Sequence, residues 1–389
     1  MMERRKMIQR KKPRFLFLRM AVFFFAVFLI SACTTEKTPV FPESSSTPIV
    51  VTASASDTEK TDGSFSAIPD EASEIPKKEK QQEEKLHTPF ETISPSPAPF
   101  YEPEIEEDPS IQYLKEPDQI STDTGKHKPI PLWHSKEYLP YGTNSYMPSI
   151  TPYLAEGEET KISVIIFPGG GYETVSMGRE GTEAAEYICE KLNVNAFVVK
   201  YRVAPSNYRA ILSDALRAVR FVRFYSEQFH TDRNRIVVLG FSAGGHLAMM
   251  TGEHFDYGKT GDDIDAESSR PDAVFLCYPV ETMLESFTHK GSRKNFLGKE
   301  DTQDNRVRFS AEKGLRPDMP PVYIVHSEDD RIVPIENSIE TVRAMEKEGL
   351  DITYRWFPKG GHGYGIAGIK WYQIDWPMIL KEWLEERGW

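Results

Sequence analysis

Over the last two thirds of the chain, short apolar runs alternate with longer stretches in which apolar residues recur at helical spacing. An unbroken apolar run of about four to eight residues is typical of a buried strand, and a 3.6-residue period is typical of a helix packed on one face. The runs predict strands at 161–167, 195–201, 235–239, 273–278, 322–326 and 352–356. The periodic stretches predict helices at 182–192, 211–229, 335–348 and 372–386, and Pro377 could kink the last one.

This alternation predicts an α/β fold class with a mostly parallel central sheet and helices on both faces. Residues 129–389 have the length of one such domain. Two stretches, 254–271 and 281–320, break the alternation and are rich in Asp, Ser, Gly and charged residues. Both follow elements whose carboxyl ends we expect to lie near the site, where loops would shape access for the substrate. The second is the better candidate for a small lid, whereas an ordinary surface insertion explains the first equally well.

The first 32 residues have the pattern of a secretory signal peptide. Residues 1–14 are strongly basic, and residues 15–30 are apolar except for Arg19. The clean apolar segment is shorter than the roughly 20 residues that span a bilayer. Ile30-Ser-Ala-Cys33 resembles a bacterial lipobox, whose cysteine is lipidated and becomes the new N-terminus. We therefore expect an extracytoplasmic lipoprotein of the cell envelope, anchored in the membrane through Cys33; an ordinary signal with a chance cysteine, or an uncleaved anchor helix, are the alternatives.

Residues 33–128 are dominated by Ser, Thr, Pro, Glu and Lys, with few apolar residues at any regular spacing. Such a stretch cannot bury enough apolar surface to offset its ordering entropy, so it is predicted to be a disordered tether that gives a catalytic domain reach. The net charge of −12 argues against a nucleic-acid partner, because phosphate binding needs a basic face. The other two cysteines, Cys189 and Cys277, are expected to be unpaired.

Gly240-Phe-Ser-Ala-Gly244 is the most informative motif in the chain. It follows the predicted strand at 235–239 and precedes a stretch from His246 that is typical of a helix. The G-x-S-x-G spacing forces a sharp strand-to-helix turn that lifts the serine hydroxyl clear of its neighbours. Free N–H groups at the start of the helix favour developing negative charge. Ser242 is therefore predicted to be the nucleophile of an acyl-transfer reaction.

A nucleophilic serine of this kind needs an acid and a histidine downstream, in that order. Asp330 follows a predicted strand, with Asp329 and Glu328 as competing acids. His362 lies between glycines in a loop after the last strand, which is an unusual place for a core residue. We predict that His362 takes the proton from Ser242 and returns it to the leaving alcohol, while Asp330 holds the imidazole in the required tautomer.

Backbone amides near the serine are predicted to form an oxyanion hole. Gly170 and Gly171, in the loop from Pro168 to Tyr172, and Ala243 beside the nucleophile would each supply an N–H group. Glycine suits this loop because a Cβ would block the approach of the ester carbonyl. The sequence has no P-loop, H-E-x-x-H or paired C-x-x-C pattern, so we predict neither a cofactor nor a metal.

Residues 146–389 resemble the α/β-hydrolase superfamily of esterases and lipases, and within it bacterial acetyl esterases and acetylxylan or feruloyl esterase-like enzymes. The motifs that carry the resemblance are Phe167-Pro-Gly-Gly-Gly-Tyr172, Tyr201-Arg-Val-Ala-Pro205, Gly240-Phe-Ser-Ala-Gly-Gly-His-Leu-Ala248, Arg270-Pro-Asp272, Tyr278-Pro-Val280, Asp330-Arg-Ile-Val-Pro-Ile-Glu-Asn-Ser338 and Gly360-Gly-His-Gly-Tyr-Gly365. The resemblance implies an α/β-hydrolase fold and cofactor-free hydrolysis of short acyl esters, often acetyl groups on plant polysaccharide. One departure is Pro168, which replaces the histidine of the HGGG motif in many relatives and so removes a group that could brace the oxyanion loop.

Two other functions fit parts of the sequence. Some prolyl-peptidase relatives share the elbow and the order of the triad, but no propeller-like repeat precedes the domain. A catalytically silent binding module is the second alternative, and the intact Ser242, Asp330 and His362 argue against it. The leading interpretation is a serine esterase that hydrolyses short acyl esters, chiefly acetyl esters of carbohydrate such as xylan-type polysaccharide.

Overall fold

The computed structural model describes residues 127–133, 139–142, 146–157, 159–257, 259 and 261–389. The expected signal peptide, Cys33 and all but the last two residues of the expected tether lie outside these ranges. Within them, no helix combines the length and the apolar character needed to cross a bilayer. Cys189 and Cys277 are both free thiols.

Eight strands in the described part of the chain form one sheet. They are β1 (Ile130–Pro131), β2 (Ser149–Tyr153), β3 (Lys161–Phe167), β4 (Asn195–Lys200), β5 (Thr231–Phe241), β6 (Ala273–Cys277), β7 (Val322–Ser327) and β8 (Ile352–Phe357). Their order across the sheet is β1-β2-β4-β3-β5-β6-β7-β8. All neighbours from β4 to β8 pair in parallel, whereas β2 pairs antiparallel with β1 and β4. The prediction of a mostly parallel sheet is confirmed.

Helices cover both faces of this sheet, as predicted. The α-helices of the described residues are α1 (Glu183–Leu192), α2 (Tyr208–Phe224), α3 (Ala243–Glu253), α4 (Lys290–Leu297), α5 (Gln303–Arg308), α6 (Glu336–Lys347), α7 (Ala367–Tyr372) and α8 (Trp376–Glu386). Alternate side chains of β3 enter two separate cores. Ile165 packs in the core that includes α2 and α3, and Ile166 packs in the core that includes α1 and α8.

Two predicted helices have different bounds in the structure. Helix α2 begins at Tyr208, where the Asn207 side chain accepts a hydrogen bond from the backbone of Ala210, and it ends at Phe224 rather than at residue 229. The helix predicted at 372–386 corresponds to α8, which begins only at Trp376, whereas residue 372 ends a separate helix, α7. Pro377 lies in the first turn of α8, where its missing N–H costs nothing, so it starts a helix and does not kink one.

Strand β2 was not predicted from the sequence. Pro152 lies inside it and interrupts the strand pattern, because proline cannot donate a ladder hydrogen bond. The strand is tolerated there because β1 pairs only with Ser149 and Ile150, so no outer neighbour needs the missing N–H of Pro152. The insertion at 281–320 holds helices α4 and α5, whereas the insertion at 254–271 contains only a short 3₁₀ turn at Asp263–Ala266. The expected position of the first insertion is wrong, because it joins the end of α3 to the amino end of β6, on the edge of the sheet away from Ser242.

A buried ion pair fastens the start of the domain to its centre. Arg202, just after β4, and Asp214 in α2 are both fully buried and joined at 2.7 Å. Trp133 donates from its indole nitrogen to Asp214 at 2.7 Å. Arg202 also donates to the carbonyl oxygens of Pro140 and Gly142. The segment before β2 is therefore an integral part of the fold.

Three acidic side chains lie close together where the end of α3 meets the second insertion: Glu253 in α3, and Glu281 and Glu312 in the insertion. Neither carboxyl oxygen of Glu253 has a hydrogen-bond partner among the described residues, and one oxygen of Glu281 likewise has none there. Burial raises the pKa of Glu253 and of Glu281 well above the ordinary value, and the negative charge of Glu312 raises both further. These carboxyl groups therefore favour the protonated state in the folded protein.

This burial predicts a stability that decreases with rising pH. A carboxyl group whose pKa is raised by folding contributes stability that is fully present below its unfolded pKa and is lost as the pH rises through the folded pKa. Glu253→Gln is uncharged at every pH, so the Tm of this variant minus that of the wild type should become more positive between about pH 5 and pH 9. Thermal unfolding monitored by circular dichroism measures this difference. Glu346→Gln, on the exposed surface of α6, is the control and should show no such trend; a constant difference for Glu253→Gln would contradict the prediction.

Candidate active site

Ser242 occupies the sharp turn between the end of β5 and the start of α3. Its backbone has φ 53° and ψ −119°, a conformation that a residue with a side chain rarely adopts. Its N–H donates to the carbonyl of Cys277 at 3.1 Å, and its carbonyl accepts from the N–H of Val280 at 3.0 Å. The carboxyl end of β6 therefore holds the strained turn in place.

Two glycines of the motif allow this turn to pack tightly. A Cβ on Gly240 would overlap the backbone of Gly244, and a Cβ on Gly244 would overlap the carbonyl oxygen of Phe167 at the end of β3. The elbow thus lies directly against the start of the glycine loop. A Cβ on Gly169 would come within 3.0 Å of the Cβ of Ser242. Glycine is needed at these positions for close backbone approach.

The structure brings Ser242, His362 and Asp330 together in one hydrogen-bonded chain. Nε2 of His362 is 2.8 Å from Oγ of Ser242, and Nδ1 of His362 is 2.7 Å from Oδ2 of Asp330. An ionised carboxylate can only accept, so Nδ1 of His362 carries the proton and Nε2 is left to accept from the serine hydroxyl. This is the arrangement in which a serine can lose its proton as it attacks an electrophile.

Asp330 is held in its charged form by its surroundings. Burial alone would raise its pKa, but hydrogen bonds from the imidazoles of His326 and His362, and from the backbone N–H of Val333, hold the pKa below its ordinary value. Nε2 of His326 also lies 3.0 Å from the carbonyl of Val333, which can only accept. His326 is therefore a donor to the acid, a role that its place in a predicted strand did not suggest.

The two competing acids have other positions. Oδ1 of Asp329 accepts from the N–H groups of Gly360 and Gly361, at 2.9 and 2.7 Å, and so fixes the loop that carries His362. Glu328 is exposed to solvent. Asp329 thus positions His362 through hydrogen bonds to the backbone just before it.

The three amides predicted for the oxyanion hole are unengaged. The N–H groups of Gly170, Gly171 and Ala243 donate to no acceptor within the described residues. Gly170 and Gly171 both have positive φ values, of 126° and 64°. A Cβ on Gly170 would overlap the carbonyl of Thr174, so the close approach of the loop to itself is a further reason for glycine at this position.

Side chains from several elements hold the glycine loop despite the proline at position 168. The hydrogen bonds that do so run from the Tyr201 hydroxyl to the Pro168 carbonyl, from the Gly169 N–H to Oε2 of Glu180 at 2.9 Å, and from the Asn295 amide to the Gly171 carbonyl at 2.9 Å. The bracing that a histidine could have supplied therefore comes from residues distant in sequence.

Glu180 links the glycine loop to the loop that carries the base. Its second oxygen accepts from the hydroxyl of Tyr278 at 2.9 Å, and that hydroxyl accepts from the N–H of Gly365 at 3.1 Å. The Tyr278 ring packs edge-on against His362, with 5.0 Å between ring centroids. Burial raises the pKa of Glu180, and hydrogen bonds from Tyr278 and Gly169 oppose that rise. Sequence reasoning missed Glu180, because no motif or periodic pattern marks it.

His246 is the packing and hydrogen-bonding residue that its place on the elbow helix suggested. It is fully buried, with Nδ1 at 2.7 Å from the Tyr172 hydroxyl and Nε2 at 2.8 Å from the carbonyl of Phe309. Burial lowers its pKa to about 4, so the ring is neutral. Among the residues described by the structure, no group of three or more His, Cys, Asp or Glu side chains is arranged to hold a metal ion.

A surface cleft of about 290 Å³ lies elsewhere in the domain. Its lining includes Lys161, Leu192 and Asp232, which belong to the amino ends of β3 and β5 and to the end of α1. Ser242 lies at the carboxyl end of β5. The cleft is therefore on the opposite edge of the sheet and is separate from this site.

Residues 151–345 match the BD-FAE family of proteins. The matched segment is half of the chain and includes the glycine loop, Ser242 and Asp330, whereas His362 follows it. The chain is also similar to an endo-1,4-beta-xylanase B of Butyrivibrio fibrisolvens, with 32% identity over 62% of this chain and 38% of that protein. Similarity to an acetylxylan esterase of Xylanibacter ruminicola is 31% identity over 57% of this chain and 45% of that protein.

The chain spans less than half the length of these two curated relatives. A solved structure of an acetyl ester-xyloside bifunctional hydrolase from Caldicellulosiruptor lactoaceticus aligns more completely. It shares 36% identity with a TM-score of 0.63, over 67% of this chain and 96% of that chain. The alignment therefore extends over nearly all of a protein whose length is close to that of the domain described here.

The two hydrogen bonds of Glu180 predict how the glycine loop is stabilised. Glu180→Ala removes the acceptor of the Gly169 N–H and of the Tyr278 hydroxyl, and each buried donor left unpaired costs about 1–3 kcal/mol. The free energy of unfolding should fall by about 2 kcal/mol or more, and amide hydrogen exchange in residues 168–172 should accelerate. Urea denaturation and exchange mass spectrometry measure the two effects. Glu183→Ala, on the exposed side of α1, is the matched control; equal behaviour of the two variants would refute this role.

Proposed function

This chain belongs to the BD-FAE family and has the α/β-hydrolase fold, and from these two facts we propose that it is a serine carboxylic ester hydrolase. The observation that carries the proposal is the hydrogen-bonded chain from Asp330 through His362 to Ser242, next to unengaged amide groups. Ester hydrolysis is further supported by the acetylxylan esterase and the acetyl ester-xyloside hydrolase to which the chain is similar.

The first half of the proposed reaction transfers the acyl group to the serine. His362 Nε2 takes the proton of Ser242 as Oγ attacks the ester carbonyl carbon. The carbonyl oxygen becomes an oxyanion, which accepts hydrogen bonds from the N–H groups of Gly170, Gly171 and Ala243. His362 then gives its proton to the leaving alcohol oxygen, the bond from that oxygen to the acyl carbon breaks, and an acyl-enzyme forms.

The second half hydrolyses this acyl-enzyme by the same groups. Water attacks the acyl carbon while His362 takes its proton, and collapse of the intermediate returns that proton to Oγ of Ser242 and releases the carboxylic acid. Asp330 is ionised throughout, because its pKa is held below the ordinary range. Its negative charge stabilises the imidazolium form of His362 that appears twice in the cycle.

We propose that the acyl group is short, chiefly acetyl, and that the alcohol is a carbohydrate such as xylan-type polysaccharide. The support is the character of the relatives, since a xylanase, an acetylxylan esterase and an acetyl ester-xyloside hydrolase all act on this class of polymer or its esters by name. The membrane anchor at Cys33 is likewise a proposal, supported by the basic, apolar and lipobox-like pattern of residues 1–33.

Substitution of the proposed nucleophile tests the reaction. The full chain should hydrolyse p-nitrophenyl acetate, and Ser242→Ala should lower kcat by on the order of 10⁶-fold, as expected when the nucleophile of such a triad is removed. Release of p-nitrophenol measures the rate. The control is Ser268→Ala, in the exposed loop before the amino end of β6 and thus on the opposite edge of the sheet from Ser242. Retention of the activity in Ser242→Ala, or its equal loss in both variants, would be incompatible with the proposal.

A labelling experiment tests the anchor. When the full chain is produced in a bacterial host that is fed a palmitate analogue, the wild type should be labelled and should enter the detergent phase on Triton X-114 extraction. Cys33→Ser should lose both the label and the partitioning, because the thioether-linked lipid has no attachment point. Cys189→Ser should retain both. If Cys33→Ser still carried the label, the anchor would have to be placed elsewhere.

A further inference from the structure

Helix α4, in the insertion between β6 and β7, is docked on the glycine loop. Asn295 donates from its amide to the Gly171 carbonyl at 2.9 Å. The buried ring of Phe296 packs against Tyr172, with 4.8 Å between centroids, and against His246 at 4.9 Å. Since Tyr172 and Gly171 end the glycine loop, these contacts fix the position of α4 relative to the unengaged amides.

His289 is the N-cap of this helix and faces the same loop. A Cβ built on Gly171 would lie 3.8 Å from Cε1 of His289. The imidazole is therefore the nearest group in the direction in which a side chain at position 171 would point. Nδ1 of His289 accepts from the backbone N–H of Ser292 at 3.2 Å and contacts the Ser292 hydroxyl at 2.8 Å. The ring is half-buried, and its orientation is set by the cap.

The cap also determines which nitrogen carries the proton. A backbone N–H can only donate, so Nδ1 is unprotonated and the neutral ring carries its hydrogen on Nε2. Nε2 has no hydrogen-bond partner within the described residues. His289 therefore presents a fixed donor beside the oxyanion amides.

This donor stays uncharged during the reaction. Burial lowers the pKa of His289, and positive charge on His362 lowers it further, against the smaller opposing effect of Asp330. When His362 becomes imidazolium, protonation of His289 is disfavoured most, so the tautomer set by the cap persists.

The chemistry of an acetyl ester restricts what the donor can bind. The carbonyl oxygen has its donors in the backbone amides, and the acetyl methyl group offers no acceptor. The alcohol portion is the remaining polar part of the substrate. We infer that His289 is a specificity-determining residue whose Nε2–H donates a hydrogen bond to a hydroxyl oxygen of a carbohydrate alcohol. The inference rests on the proposed function and assigns one of its substrate contacts.

Two substitutions separate the donor from the cap. Asn is a preferred N-cap residue, so His289→Asn keeps the cap and removes the donor that reaches the substrate. His289→Gln places an amide N–H₂ near the position of Nε2. The full chain and both variants are assayed on an acetylated xylo-oligosaccharide with free hydroxyls and on p-nitrophenyl acetate, whose alcohol has no neighbouring hydroxyl. Thermal unfolding verifies that His289→Asn is folded like the wild type.

The expected result is a selective effect on the sugar ester. His289→Asn should lower kcat/KM for the oligosaccharide by about 3- to 10-fold, mainly through KM because the contact is made equally in the ground and transition states. The rate on p-nitrophenyl acetate should be unchanged, and His289→Gln should lose less than His289→Asn on the sugar ester.

Other outcomes overturn the inference in distinguishable ways. An equal loss on both esters would place the donor at the oxyanion, and no loss on either would leave His289 with only its capping role. A wild type that cleaves p-nitrophenyl acetate but not the sugar ester would remove the carbohydrate substrate and this contact with it. A wild type inert on both would overturn the proposed function as a whole.

Discussion

The strained turn at Ser242 is the constraint on which the rest of the site depends. A side-chain-bearing residue with φ 53° persists only where the surroundings determine it from several directions. Here the end of β6 holds the turn by hydrogen bonds on both sides of the residue, and the end of β3 packs against Gly244 with no space for a Cβ. Three parallel strands must therefore be in register before the hydroxyl can meet His362. The parallel sheet is in this sense part of the site, because it fixes the position of the Ser242 hydroxyl relative to His362.

The glycine loop and the loop that carries His362 are stabilised by shared interactions. Glu180 accepts a hydrogen bond from Gly169 in the glycine loop and another from the hydroxyl of Tyr278. The ring of Tyr278 packs against His362 in the other loop. The groups that would bind the oxyanion and the group that would move the proton are thus coupled through one buried carboxyl group. Pro168 supplies no side-chain hydrogen bond, and the loop is ordered instead by hydrogen bonds to residues just after β4, in the helical turn before α1, and in α4. Hydrogen bonds from residues distant in the sequence thus replace the one that a histidine at position 168 could have made.

The parts of the molecule that sequence reasoning predicted are those with a local signal. β3 occupies the predicted residues because five of its seven residues are apolar, four of them in the uninterrupted run 164–167. Ser242, Asp330 and His362 were chosen from glycine spacing and chain order, and they lie within hydrogen-bond distance of one another along the chain from serine to histidine to aspartate. β2 was missed because Pro152 disrupts its pattern and only its pairing with β4 makes it a strand. Glu180 and His289 had no signal in the sequence. Their roles arise only when the fold brings them beside a loop that is distant along the chain.

The buried pair of Arg202 and Asp214 sets a limit on where the chain can be cut. The indole of Trp133 donates a hydrogen bond to Asp214, and the carbonyls of Pro140 and Gly142 accept hydrogen bonds from Arg202. Residues that precede β2 therefore satisfy the hydrogen-bonding groups of this buried pair. Proteolytic separation of the domain from the residues that precede it would leave the fold intact only when cleavage falls before Ile130. A cut between Gly142 and the start of β2 would separate Arg202 from both carbonyl acceptors and Asp214 from the Trp133 indole, and the released fragment would lose stability.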